Sequence, residues 1–373
     1  MTIAVIFGGR SQEHEASVAS CAQIIGVLKK QKKYAVVPIG ITKTGEWYTG
    51  AGTVEAFQKG TIKGLHRAVL APDTSRAVYV MQNGKVTKRI HIDVAFAWVL
   101  GPYGEDGTMQ GLLEMADIPY VGSPVFASAC GFNKLTTKVF IESLGIPQVP
   151  YASITRDEWK KGSSDIAGQV ARKIGMPCFV KPVSCGSSIG VSKVKKASAL
   201  GKAINEALVF DHTAVVEAAV TNALEIECAV IGNDEPTASV PGQVEYDGEF
   251  YDYHAKYVSP KWNVHIPPKL SPKKVEDVRA LAIRVFRALG AAGGARVDFL
   301  VDGKTKKIYF NEINTLPSFR SISMFTRLLE HMGMSYGVII ETLITLAIQR
   351  HAATSKRTLE YEVTKSKHDS ATS

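Results

Sequence analysis

The chain has 373 residues, 45% of them hydrophobic and 21% charged, which is ample for a buried core and more than a single core usually organises, so two or three domains are expected. The formal net charge of +9 could suit nucleic acid, an acidic membrane or an anionic substrate. The densest basic run, Lys29, Lys30, Lys32 and Lys33, has no interleaved aromatic residue for bases to stack on, so we read the charge as a solvated basic surface and expect no nucleic acid.

The N-terminal run Met1 to Phe7 enters Gly8-Gly9 with no basic segment before it, which marks a first strand and not a signal peptide. Positions Val18, Cys21, Ala22, Ile25 and Leu28 then recur at helical spacing, and Tyr34 to Ile41 and Asp93 to Val99 are further strands. This β-α-β beginning predicts a parallel, three-layer α/β unit over 1–124. G-x-G-x-x-G is absent, so a dinucleotide site is not expected.

A second segment, 125–214, carries a strand from Cys178 to Lys181, the small-residue loop Ser184 to Gly190, and a return strand from Val191 to Val194. A third, 215–352, opens with little periodicity through Gln243 to Leu270. A helix follows: Ser271 is its N-cap, Pro272 sits in the first turn, Val275, Val278, Leu281, Val285 and Leu289 form its apolar face, and Gly290 stops it. Strands Arg296 to Val301 and Lys307 to Ile313 come next, around Asp302-Gly303. Residues 353–373 are polar and are expected to be disordered.

No apolar stretch spans a bilayer, since Gly337 to Ile348 is interrupted by Glu341, so no membrane insertion is expected. Cysteines Cys21, Cys130, Cys178, Cys185 and Cys228 are odd in number and form no C-x-x-C pair. That argues against a zinc knuckle or disulfide framework and for a reducing, cytoplasmic compartment.

Three clusters carry chemistry. On the last strand pair, alternation puts Arg296 with Asp298 and Glu312 with Asn314. If the strands pair, two carboxylates and an amide oxygen converge as hard ligands for Mg²⁺, beside an arginine suited to a phosphate or an oxyanion; a solvated, charged sheet face is the plainer alternative. Lys181 precedes the Ser184 to Gly190 loop, whose backbone N–H groups could wrap phosphate; a simple hairpin would read the same. Glu13 or Glu15, after Gly8-Gly9, could bind a substrate ammonium group, or only complement a helix dipole.

In order, G-G-R-S-x-E-H-E, G-P-Y-G-E-D-G-T-x-Q-G, V-K-P-x-x-x-G-S-S-I-G and N-E-I-N-T-L-P resemble the D-alanine–D-alanine ligase family of the ATP-grasp superfamily, over about residues 3 to 350. The resemblance implies a three-domain ATP-grasp ligase with an N-terminal three-layer α/β domain. It implies ATP and two Mg²⁺ ions (Mn²⁺ as a substitute), D-alanine as substrate, a homodimer, and a role in peptidoglycan precursor synthesis. Lys134 and Lys181 would contact the ATP phosphates, Glu217 and the backbone at Ala219 and Val220 the adenine, and Glu225 the ribose. Asp298, Glu312 and Asn314 would bind the metal ions, and Arg296 would steady the transferred phosphate and the oxyanion. Glu13 would bind the first D-alanine, linked through Ser187 to Tyr257, in a closing loop Tyr251 to Tyr257. Ser323 would receive the second carboxylate, with Met324 beside it.

The departures lie on the amino-acid side. Leu100 stands where the family usually has histidine, Ser318 where it has glycine, and Arg320 where it has a small polar residue, while the Glu217 to Glu225 segment is one residue longer than in some relatives. A non-catalytic ATP-binding paralogue, or a ligase for another D-amino or D-hydroxy acid, are the alternatives these changes leave open.

Overall fold

The computed structural model describes residues 1–246 and 262–358. Tyr257, its loop and most of the expected tail lie outside the described residues.

The first sheet grows from β1 (Thr2–Gly8), which is buried from its second residue to its last. Ile3, Val5 and Phe7 pack with Val18, Cys21, Ile24, Ile25 and Leu28 of helix α1 (His14–Lys30). Ala4 and Ile6 face the other way, with Met109 and Leu113 of α3 (Thr108–Met115). Burial on both faces explains the unbroken apolar run and makes the three expected layers. Within this sheet β1 pairs in parallel with β2 (Ala35–Ile41) and β7 (Val94–Ala97).

Four antiparallel strands extend that sheet, and they went unread in the sequence. They are β3 (Trp47–Thr49), β4 (His66–Leu70), β5 (Ala77–Gln82) and β6 (Lys85–His91), with α2 (Thr53–Gln58) between β3 and β4. Their signal is weak because β3 is three residues long and β6 is almost wholly exposed. Lys85, Lys88 and Arg89 line that outer strand, where charge discourages further pairing.

The second sheet is antiparallel, ordered β10-β9-β11-β8, from β8 (Tyr151–Thr155), β9 (Cys178–Pro182), β10 (Ser192–Val194) and β11 (Thr213–Ala218). Helices α6 (Arg156–Ile174) and α7 (Leu200–Phe210) cover it. Thr155 starts α6 with a reciprocal capping box to Glu158. The β11 strand runs through position 214/215 and pairs wholly within this sheet.

The third sheet runs β15-β14-β12-β16-β17, with β13 on β12. Its strands are β12 (Leu224–Gly232), β13 (Thr237–Ala238), β14 (Gly242–Tyr246), β15 (Trp262–His265), β16 (Gly293–Val301) and β17 (Ile308–Asn314). Helix α8 (Pro272–Ala288) lies on it through Val278, Ala282, Val285 and Phe286, and Ser271 caps it as expected. Ala127, Cys130 and Ile141, from α4 (Val125–Phe132) and α5 (Lys134–Ser143), share that core. Residues 125–146 therefore pack with the third sheet although they precede the second.

Helices α9 (Met324–His331) and α10 (Tyr336–Thr354) bury Phe325, Leu328, Leu343 and Ile344 in the core that β1 and α1 share. Trp98 Nε1 donates to Pro317 O at 3.1 Å, and its ring lies 5.1 Å from that of Phe319. Arg350 of α10 donates to Tyr120 O at 3.0 Å and to Gly122 O. These contacts hold the N-terminal sheet over the third. Among the described residues, no single helix is long and apolar enough to cross a membrane.

Candidate active site

The β16 and β17 register places Asp298 opposite Glu312 and Arg296 opposite Asn314. A bulge between Asp298 and Phe299 leaves Asn311 as an extra residue on β17, so Asn311 and Glu312 both line the cavity. Arg296 donates to both Asp298 oxygens, at 2.8 and 2.7 Å, and Asn314 Nδ2 donates to Asp298 at 3.0 Å. From β12, Glu227 Oε2 stands 2.8 Å from Arg296 Nε. Burial pushes the Asp298 carboxyl up to about 7 and Glu227 adds to it, with Arg296 opposing. The solvated sheet face is therefore not what these residues make.

The Asp298, Glu312 and Asn314 oxygens are hard donors in an acid-rich patch, Asp298 buried and the other two half-buried, and they suit a small divalent cation completed by phosphate oxygens. Among the described residues no three His, Cys, Asp or Glu side chains gather as a group that could hold a metal ion by themselves. Glu227 was missed in the sequence, although the alternation L-E-I-E-C on β12 puts it on one face with Glu225.

Lys134 begins α5 behind the Asn133 cap, and its Nζ donates to Cys185 O at 2.6 Å, 3.9 Å from Glu312. Lys181 on β9 reaches Glu217 Oε2 at 2.7 Å and Asn311 Oδ1 at 3.4 Å. Lys138 stands 3.2 Å from the other Glu217 oxygen. Burial would raise the Glu217 pKa, but the two ammonium groups overcome it and hold the carboxyl at about 2.

Lys134, Lys181, Glu217, Asn311 and Glu312, with Glu225, Phe179, Leu300 and Asp298, line a cavity of about 1240 Å³ open to solvent, and Lys138 stands behind it. Its lining includes Ala218 but neither Ala219 nor Val220, and the Ala219 N–H is taken by Pro177 O at 3.1 Å.

The Ser184 to Gly190 loop turns through Ser187 and Ser188 at φ of 51° and 59°, a left-handed turn that costs a side-chain-bearing residue roughly 1–2 kcal/mol. That turn aims Ser187 Oγ at Glu13 Oε1, to which it donates. Gly186 lets the loop come close, since a Cβ there would stand 2.5 Å from Glu13 Oε2. Glu13 itself is the N-cap of α1 and is buried. Glu15 points outward to Lys43 at 2.5 Å, so Glu13 is the candidate of the two.

Glu13 lines a second cavity, of about 1110 Å³, with Leu100, Arg320, Ser323 and Met324. Glu105, Gly186, Ser187, Glu227, Arg296, Glu312 and Asn314 belong to both cavities. Burial raises the Glu105 carboxyl well above the usual range and the Glu13 charge adds to that, while the Gly101 N–H opposes it at 2.8 Å.

Ser323 occupies the N-cap position of α9, and its Oγ meets Ser318 Oγ at 2.9 Å and the Arg320 N–H at 3.1 Å instead of bonding the helix. Ser318 is not among the non-glycine residues with positive φ, so serine stands there without backbone strain. Leu100 is 3% exposed and packs in the core as an apolar wall of this cavity.

Two family models match, the D-ala D-ala ligase N-terminus over residues 2–123 and the D-ala D-ala ligase C-terminus over residues 140–345. The chain belongs to the D-alanine–D-alanine ligase family. The D-alanine–D-alanine ligase of Heliobacterium modesticaldum is 40% identical over 359 residues, covering 96% of this chain and 98% of that protein. That of Ruminiclostridium cellulolyticum is 43% identical over 368 residues, covering 95% and 97%. Among solved structures, the VanG D-Ala:D-Ser ligase from Enterococcus faecalis aligns with a TM-score of 0.81 and 31% identity, covering 93% of this chain and 99% of that one. The D-alanine–D-alanine ligase from Coxiella burnetii also aligns at 0.81, with 32% identity and coverage of 95% and 96%. The architecture is thus the ATP-grasp fold of these ligases, as the motifs implied.

Proposed function

We propose that this ligase joins two D-alanine molecules into D-alanyl-D-alanine with ATP, through a D-alanyl phosphate, for peptidoglycan precursor synthesis in the cytoplasm. The observation that supports it most is the common wall of the two cavities. A cavity with lysines and hard oxygen donors meets one with a buried carboxylate and a serine, and Arg296 stands on the wall between. A transferable phosphate and an amino-acid carboxylate can therefore meet there.

ATP would occupy the first cavity, with Lys134 and Lys181 at its phosphates, its base toward Glu217, and its ribose toward Glu225. Asp298, Glu312 and Asn314 would hold two magnesium ions, which supply charge neutralisation for phosphoryl transfer. Glu13, oriented by Ser187, would bind the ammonium group of the first D-alanine and turn its carboxylate toward the γ-phosphate. The carboxylate oxygen forms a bond to phosphorus as the bond to ADP breaks. The second D-alanine, its carboxylate at Ser323 beside Met324, then gives up an ammonium proton to solvent and attacks the acyl carbon through its neutral amine, whose second proton departs as the amide forms. Arg296 stabilises the oxyanion, and phosphate leaves.

Three units meeting at this wall, near 1–124, 125–214 and 215–352 but with all of β11 in the second and 125–146 packed on the third, and a homodimer complete the proposal. The experiment is phosphate release from ATP and Mg²⁺ with D-alanine, with product identified by mass. Release that does not depend on D-alanine, or no release, would sink the reading. A second reading, D-serine as second substrate, draws on Arg320 and Leu100 in the second cavity, and D-serine and D-lactate arms of the same assay decide it.

A further inference from the structure

Lys138 lines neither cavity, yet it is 1% exposed. It follows Lys134 by one turn of α5, so both side chains leave the same face of the helix. Its Nζ stands 3.2 Å from Glu217 Oε1, while Lys181 Nζ stands 2.7 Å from Glu217 Oε2. The Tyr151 ring lies 5.5 Å from the Lys138 ammonium. One carboxylate is therefore shared, one oxygen to each lysine. Burying an ammonium group in this way carries a desolvation penalty that its partner must offset, and an apolar side chain would fill the space with less penalty.

The arrangement has an electrostatic consequence. A buried carboxylate beside a single ammonium group neutralises it and fixes it in place. With a second ammonium on its far oxygen, the carboxylate divides its attraction, and the trio carries one net positive charge. Of the two lysines, Lys181 is the one that faces the cavity.

We propose that Lys138 is a positioning residue for nucleotide: it holds Glu217 from behind and so leaves the Lys181 charge available to phosphate in the cavity. This rests on the reading that ATP occupies that cavity.

The test is calorimetric ATP affinity and steady-state kinetics for the full-length wild type, Lys138→Met, Lys138→Arg, Glu217→Gln and the Lys138→Met/Glu217→Gln double variant. Circular dichroism checks the fold of each. Lys138→Met should weaken ATP binding and raise the KM for ATP by about tenfold, with a smaller change in kcat, and Lys138→Arg should restore most of it. In the Glu217→Gln background, where Lys181 is already released, Lys138→Met should change affinity by less than about threefold. Unchanged ATP affinity in Lys138→Met overturns the proposal, as does an equal loss with and without Glu217. If Lys138→Met does not fold, the double variant, which buries no lone charge, supplies the comparison with Glu217→Gln, and a tenfold difference there also overturns it. A wild type that binds no ATP would refute the nucleotide reading instead, and the two failures are told apart by that first titration.

Discussion

At the scale of single residues, the site is a set of charges whose ionisation the fold decides. Asp298→Ala or Glu312→Ala removes one of the few hard oxygens where phosphate charge would gather, so phosphate release should fall by at least about 100-fold with the circular dichroism spectrum unchanged. Near-normal release at saturating Mg²⁺ would refute the metal assignment. Glu217 offers a test with a definite sign. Its folded pKa of about 2 lies below the free value of about 4.3, so the unfolded chain binds a proton first as pH falls. The stability contribution is complete above about pH 4.5 and is lost toward pH 2. Urea midpoints should therefore show the gap between wild type and Glu217→Gln closing across that window, and a constant gap would contradict the depressed pKa.

Candidate residues were legible here to the extent that their chemistry is local. Asp298, Glu312 and Asn314 follow from strand alternation, and Lys181 from its place before a small-residue loop. Asn311 and Glu227 were not, because a bulge between two strands and a pairing across 71 positions (Glu227 with Asp298) are set by register. Lys138 reads as one of many helix-surface lysines until the partner elements close over it.

At the scale of elements, the loop after β9 shows how backbone shape sets a side-chain contact. Ser187 and Ser188 hold positive φ, and Gly186 clears space for Glu13. Gly186→Ala would push the Glu13 carboxylate from its place. We expect kcat/KM for D-alanine to drop roughly 100-fold, as a misplacement of about 1 Å can produce, with a smaller loss of ATP affinity, since Gly186 also borders the first cavity. Steady-state kinetics and an ATP titration measure this; wild-type kinetics would mean that Glu13 does not position substrate. The glycine motif alone could not have shown it, since the atom that forbids a Cβ belongs to a residue 173 positions earlier.

At the scale of the whole molecule, the second cavity exists only because the N-terminal sheet is held against the third. Arg350 supplies part of that hold, donating to the Tyr120 and Gly122 carbonyls and lying 4.2 Å over the Tyr120 ring. Arg350→Ala should destabilise the protein by about 2–3 kcal/mol, since hydrogen bonds from a charged group are lost and two carbonyls are left unpaired. The KM for D-alanine should rise more than that for ATP, whose cavity draws on the second and third sheets. Urea unfolding and paired KM measurements check this, and a loss under about 0.5 kcal/mol would show the clamp to be ornamental.

By itself the sequence determined the elements whose signal is short-range: β1, α1, the capped helix α8, the hairpin around the Ser184 to Gly190 loop, and the four motifs that mark the family. Tertiary structure alone decided which distant groups face each other. It set Glu217 between two lysines, brought Ser187 to Glu13, carried 125–146 onto the third sheet, and made Leu100 a cavity wall without straining Ser318. The physical reason is range. Helix caps, turn residues and apolar periodicity act over a few residues, whereas pKa values and cavities depend on burial and on charges brought together by packing between elements far apart in the chain.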